Sequence, residues 1–386
     1  MRAVAGAWVA ASTADSLLIY VVLWAAGPQG WSGVQTAFAV LALRLPALLG
    51  GVVGGRAIDR YGPRLPFLAD LVTRAALLGI LAAYGWSGDL PLLPLLVLGA
   101  ACGALSPISY SCVRVCVPLL VPQGARTRAN ALMAVGDQLP LVLGALLTAS
   151  LLGFLGLGPS LAGAAALLLA AAAFAPVLPM RQARATVPEA DLQKADLREA
   201  SPWRSSRIRT LVALSVVYYA AYGPFESVLP EFVRDRLDGN PVTYSMLWVL
   251  FGTGALAALP LAPRLARRRP GLVNGLGATL WGAVTLPLAL LHDIPAAAAL
   301  FAVSGLVWGP YTAVEATALQ RWAHPNWHGR LFGTQRALLM AASPLGAAAG
   351  AILLDHSPPA AILAGSAAAC AVAGLVALAH PAMRRA

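Results

Sequence analysis

The chain has 386 residues, of which 59% are hydrophobic and only 11% charged, and its formal net charge is +11. Water-soluble domains run nearer half apolar and a quarter charged, so a soluble globular fold is excluded. A nucleic-acid partner is excluded too, because the basic residues are scattered through short stretches between apolar runs and form no patch.

Apolar runs follow one another along the whole length, at about 5–26, 33–57, 66–85, 92–120, 128–151, 159–179, 209–232, 243–265, 271–291, 295–321, 331–354 and 358–380. Each is long enough, at 1.5 Å per residue, to cross a ~30 Å hydrocarbon layer as a helix. The first run leads straight into further spans and opens onto no cleavage site, so it is expected to be a span and not a cleavable leader. The expected fold class is an all-α membrane protein with twelve transmembrane helices, embedded in a lipid bilayer as its surroundings.

Arg placement sets the expected orientation. Arg60 and Arg64 follow span two, Arg126 and Arg128 span four, Arg267, Arg268 and Arg269 span eight, and Arg330 span ten. Stretches on the opposite side, such as "AAGPQGWS" and "LDHSPP", carry neither Lys nor Arg. Both termini and the even-numbered loops are therefore expected in the cytoplasm, with the protein in the cell's inner (plasma) membrane.

One hydrophilic segment divides the chain. The expected organisation is a six-helix bundle over 1–180, a cytoplasmic linker with an amphipathic helix over 181–208, and a second six-helix bundle over 209–386. The halves repeat each other. "PISYSCVRVCVPLLVP" begins at Pro107 and "PYTAVEATALQRWAHP" at Pro310, with the same proline spacing at an offset of 203. Such duplication is the mark of transporters built from two bundles related by an axis along the membrane normal.

Between spans two and three stands "GGRAIDRYGPR". Arg60 and Arg64 follow the positive-inside pattern, Gly62 with Pro63 marks a tight turn, and Gly50 with Gly54 and Gly51 with Gly55 make small-xxx-small pairs for close helix packing. Asp59 has no topological reason. The stretch resembles the G-x-x-x-D-R-x-G-x-R signature of the major facilitator superfamily, met here by Gly55, Asp59, Arg60, Gly62 and Arg64. "RLPALLGGVVGGRAIDR", "VPLLVPQGARTRANAL" and "SPLGAAAGAILLD" resemble the drug-efflux branch that includes macrolide and catecholate-siderophore exporters. The resemblance implies alternating access, with the signature acid latching the outward-facing state near the start of span eleven. A local Asp59–Arg64 pair is the other reading. The second-half copy of the loop lacks the acid and the glycine, having Pro263 and Ala266.

Ionisable residues inside spans are functional candidates by default. Asp15, Arg44 and Asp137 lie at depths that agree within about one turn, ~6 Å, and are expected to form one buried charged cluster. Asp15 or Asp137 is the expected proton carrier with Arg44 as counter-ion, and a purely structural ion pair is the rival. Arg114 and Glu315, at nearly matched positions in the repeat, are candidates for a gate between the halves, and Glu226 for the outward mouth. Asp70 and Arg74 read as a local pair four apart on span three. Because spans one, four, seven and ten line the cavity in the family, the resemblance makes Tyr110, Tyr222, Trp308 and Tyr311 substrate-binding candidates. Trp8, Trp24, Trp31, Trp86, Trp203 and Trp322 read as membrane-interface belts.

No G-x-x-x-x-G-K-[ST] loop occurs, and no metal motif, so neither ATP hydrolysis nor a metal or other cofactor is expected, nor any enzymatic activity. The expected function is secondary active, proton-coupled export of a small amphipathic organic molecule by a monomer, with the substrate and protons as its partners. Uptake or facilitated diffusion, and a non-transporting membrane sensor that keeps the fold, stay open as alternatives.

Overall fold

The computed structural model describes residues 2–122, 126–178, 202–267, 269–323 and 328–384. Among these no strand occurs, and eleven helices are long and apolar enough to cross a membrane, alongside a shorter apolar helix, Gln138–Leu152. The spans are one, Arg2–Ala25; two, Gly33–Arg44 with Ala47–Tyr61; three, Arg64–Trp86; four, Leu92–Leu120; five, Arg126–Leu147 with a π-turn over Thr148–Leu152; and six, Leu157–Ala172. In the second half they are seven, Ser206–Leu237; eight, Pro241–Ala258 with Ala262–Ala266; nine, Pro270–Thr285; ten, Ile294–Trp308 with Tyr311–Trp322; eleven, His328–Leu353; and twelve, Pro359–Ala379. The linker expected at 181–208 falls mostly outside the described residues, and span seven starts at Ser206, earlier than the apolar run.

Prolines set the irregularities. Pro46 interrupts span two and Pro310 span ten, because a proline offers no N–H to the preceding turn and its ring crowds that turn's carbonyl. Gly62, at φ 75°, ends span two with a left-turning residue that only glycine adopts without strain. It reverses the chain at once into span three.

Packing within each half follows the same three pairs: spans one with five, two with four and three with six, then seven with eleven, eight with ten and nine with twelve. Small residues make the approach possible. A Cβ on Gly50 of span two would stand 1.6 Å from the Ala104 carbonyl oxygen, and one on Gly305 of span ten 2.0 Å from that of Phe251. Helices in lipid gain little from apolar burial and associate through such close van der Waals contact. The repeat in sequence is therefore a repeat in packing. Span two against eleven and span five against eight join the halves.

Candidate functional site

A cavity of about 420 Å³ lies between the halves, walled by Asp15, Arg44, Tyr222, Glu226, Trp308 and Arg336 among others. It is the natural place for a solute: concave, with apolar and aromatic walls and a few convergent polar groups.

The charged cluster differs from the sequence expectation in its pairing. Asp15 meets Arg74, with Nη1 donating to Oδ1 over 2.5 Å. Arg74 also donates to both oxygens of Asp70, at 2.7 and 3.2 Å, and to the Ser109 hydroxyl at 3.2 Å. The Ser109 backbone N–H completes the network by donating to Asp70 at 3.2 Å. One guanidinium thus ties spans one, three and four, and the expected local Asp70–Arg74 pair is the inner part of a larger unit. Arg74 and Asp70 are each 1% exposed, whereas 40% of the Asp15 side chain is open to the cavity. Burial of Asp70 and Arg74 is tolerable because each is paired and hydrogen-bonded.

Arg44 does not serve as the hydrogen-bonded counter-ion of Asp15. Its Nη2 donates to Glu226 Oε1 over 3.2 Å, across the two halves. The reason is reach: span two faces span seven here, and Arg74 already occupies the bonded oxygen of Asp15. Glu226, expected at the outward mouth, sits instead in the central cavity, 7% exposed, with Oε2 buried and unbonded among the described residues. The Asp137 and Asp59 side chains lie outside the described residues, so no geometry attaches to them. Of the remaining loop signature, Arg60 stacks over Tyr61 at 5.3 Å.

The Arg114–Glu315 gate is not formed. Arg114 lies 5.0 Å from the centre of the Tyr110 ring. Glu315 is 2% exposed and faces Ser215 and Gln335 of its own half. The broken turn at Pro310 aims the start of the second helix of span ten into its own bundle. Of the four aromatic candidates, Tyr222 and Trp308 line the cavity, 4.5 Å apart between ring centres. Tyr311 is 3% exposed, bonded to Ser215 at 3.0 Å and stacked against Tyr218 at 4.2 Å. Tyr110 packs edge-on against Trp8 at 5.2 Å. Neither of these two lines the cavity. Two of the expected belt residues are also interior, Trp8 and Trp24, at 8% and 7% exposed.

Sequence reading overlooked Arg336 and Tyr219, both on the cavity wall. The signal for Arg336 was available: it is a basic residue well inside an apolar span, held to the same rule that selected Arg44.

At the end of the molecule away from the chain termini, the second half caps helices of the first. Arg234, held by Glu231 at 2.6 Å, donates to the Trp24 carbonyl at 2.9 Å and lies 4.7 Å over the Trp24 ring. Asp355 accepts from the Gly33 N–H at 2.7 Å. A cation thus meets the last turn of span one and an acid the first turn of span two, each matching the sign of that helix end. Tyr20 and Trp24 add ring contacts to Tyr244 and Trp248, all buried. This end of the cavity is closed.

Known proteins agree with this architecture. The chain is 26% identical over 391 residues to the multidrug efflux pump Tap of Mycobacterium tuberculosis, covering 97% of this chain and 91% of that protein. It is also 26% identical over 337 residues to the uncharacterized MFS-type transporter y4rN of Sinorhizobium fredii, covering 84% and 81%. The crystal structure of the nucleoside transporter NupG in its D323A form has the same fold, with a TM-score of 0.72 at 13% identity and 98% of each chain covered. The family model described as Major Facilitator Superfamily matches residues 4–334. Two six-span bundles enclosing a polar cavity, together with that match, make the chain a multi-pass membrane transporter that belongs to the Major Facilitator Superfamily.

Proposed function

We propose that the chain exports a small amphipathic organic molecule in exchange for protons, by alternating access of the bundles 1–180 and 209–386 about the linker 181–208. The observation that carries this reading is the division of labour around Arg74. Asp70 holds the guanidinium permanently inside the bundle, while Asp15 gives it one oxygen and leaves the other side of its carboxylate open to the cavity. A proton on Asp15 takes the triad from a net charge of −1 to neutral and leaves Arg74 still paired. Asp15 is therefore the exchangeable member and Asp70 the structural one.

Supporting the direction and the substrate class, relatives matching almost the whole chain are named multidrug efflux pumps. Tyr222 and Trp308 supply aromatic walls for such a molecule. In this reading the protein works as a monomer in the inner membrane with both termini cytoplasmic, without a cofactor or any covalent chemistry. Asp137 is a second candidate proton carrier, and the loop signature at Gly55–Arg64 latches one of the two states.

The test is reconstitution into liposomes with an imposed pH gradient and a panel of hydrophobic drugs. The expected outcome is drug-dependent dissipation of the gradient by the native protein. A folded Asp15→Asn protein is expected to lose that dissipation while still exchanging drug down its own gradient. Absence of drug-dependent proton movement across the panel, or full coupling in Asp15→Asn, refutes the proposal.

A further inference from the structure

Four charged side chains line the central cavity among the described residues: Asp15, Arg44, Glu226 and Arg336. Their charges sum to zero but are not locally cancelled. Arg44 and Glu226 neutralise each other at 3.2 Å. Asp15 shares the single charge of Arg74 with Asp70, which leaves that wall, built by spans one and three, with one uncompensated negative charge. Arg336 on span eleven makes no ion pair among the described residues. Its side chain is exposed, its guanidinium carbon stands 5.7 Å from the centre of the Tyr110 ring, and Tyr219 lies within its field. Glu315, also near Tyr219, is 2% exposed and does not line the cavity. With the Arg44–Glu226 pair set aside, the described residues make the first-half wall negative and the second-half wall positive, with Tyr222 and Trp308 on the surface of the same chamber.

We infer that this chamber binds a zwitterionic aromatic molecule, its ammonium at Asp15, its carboxylate or equivalent anion at Arg336, and its ring on the Tyr222–Trp308 wall. The inference rests on the transport reading above and narrows its substrate class. A purely cationic ligand gains at Asp15 and is repelled by Arg336, while a purely anionic one meets the reverse. Inside a chamber of low effective dielectric both penalties are larger than in water. A ligand carrying both charges satisfies both walls and brings no net charge into the membrane. The planar fork of an arginine suits a carboxylate in particular, offering two parallel N–H donors. Arg336 is then the residue that sets specificity for the anionic end.

The experiment is equilibrium binding to the full-length protein in nanodiscs, with no gradient present. Four probes share one ring: 2-naphthylalanine, its methyl ester, its N-acetyl derivative and the N-acetyl methyl ester, being zwitterion, cation, anion and neutral molecule. The zwitterion is expected to bind at least about tenfold more tightly than each of the others, an advantage that one well-placed charge contact supplies. Arg336→Gln is expected to bring the zwitterion down to the level of the ester, while the ester's own affinity rises as the repulsion from Arg336 is removed. Arg336→Lys is expected to recover part of the loss, which separates the charge from any folding defect. Asp15→Asn is expected to do the mirror image, bringing the zwitterion to the level of the N-acetyl acid. A cation or neutral probe that binds as well as the zwitterion overturns the inference, as does an unchanged zwitterion affinity in Arg336→Gln or the absence of binding by all four. Because binding is read without flux, failure of proton-coupled export leaves this ranking untouched, and the two readings fail separately.

Discussion

The two halves share a packing plan but fill the positions nearest the cavity with different chemistry. At the 203-residue offset of the proline repeat Asp15 of the first half falls on Tyr218 of the second, and in the register that sets Pro263 against Asp59, Asp70 and Arg74 fall on Asn274 and Ala278. Where the first half ties three spans with ions, the second ties them with rings. Tyr218 lies 4.8 Å from Trp308, 4.2 Å from Tyr311 and 5.6 Å from Trp281. Gly277 lies beside these rings, where a Cβ would stand at contact distance, 3.4 Å, from Tyr311 Cδ2. Duplication kept the scaffold and let the interior diverge. An ionic core can change its charge by taking up a proton, whereas the rings themselves do not, and in the second-half core that capacity rests with the buried Glu315.

Breaking the ionic half is expected to have the largest effect. Arg74→Met leaves Asp15 and Asp70 without their common partner, and removing one member of a buried ion pair costs about 3–5 kcal/mol. Thermal unfolding in detergent is expected to show a drop of several degrees or more, with Asp70→Asn in the same chain restoring part of it. If Arg74→Met unfolds at the native temperature, the triad is not what holds spans one, three and four together.

Among the described residues, the Arg44–Glu226 pair is the charged link between the halves near the cavity centre, and it tests how far they depend on each other. Glu226→Gln keeps the shape but removes the charge facing Arg44, and the change in this charge-assisted hydrogen bond is of order 1–2 kcal/mol. The closed end should then open more often. Ala26, buried at that end, provides the readout, since a cysteine placed there is expected to react faster with a membrane-impermeant maleimide. Equal reaction rates in both proteins would mean that the aromatic and capping contacts close that end without help from the pair.

The smallest effect is expected at Tyr218, the position equivalent to Asp15. Its hydroxyl is buried and makes no hydrogen bond among the described residues, so Tyr218→Phe removes a polar group that contributes nothing. Stability is expected to change by less than about 0.5 kcal/mol or to rise slightly. A loss above that range would assign the hydroxyl a role that the ring contacts do not reveal, and would weaken the contrast between an ionic and an aromatic half.

Much of this was legible in the sequence because lipid simplifies the problem. Spans, their number and their alternating direction follow from hydrophobic length and Arg placement, which depend on position along the chain alone. Pairing inside the cavity depends on how each helix is rotated about its axis, and in helices apolar on nearly every face the sequence carries little information about rotation. Hence Asp15 and Arg44 share the cavity as expected of interior charges, but each finds a different hydrogen-bonded partner, Arg74 and Glu226. Depth offered a hint: Arg74 lies ten residues along its helix from Arg64, and Asp15 thirteen along its own from Arg2, entering from the same end. Reading Arg74 as satisfied by its neighbour Asp70 concealed that a guanidinium has donors enough for two carboxylates. Tyr110 and Tyr311 failed as cavity residues for the same rotational reason, each being on a correct span and turned from the lumen.

The caps at the closed end have an energetic meaning of their own. Gly33 belongs to that contact, since a Cβ there would stand 1.9 Å from the Ala351 carbonyl oxygen, and so does Gly27, whose Cβ would meet the Arg234 guanidinium at 2.1 Å. Both lie where the chain emerges from its spans, so parting them hands the Gly33 N–H and the Trp24 carbonyl to water and not to hydrocarbon. Each hydrogen bond exchanged in this way shifts the balance by only about 0.5–1.5 kcal/mol. The two capping bonds together therefore contribute an amount comparable to one elementary charge crossing an energised membrane, about 2.3 kcal/mol per 100 mV.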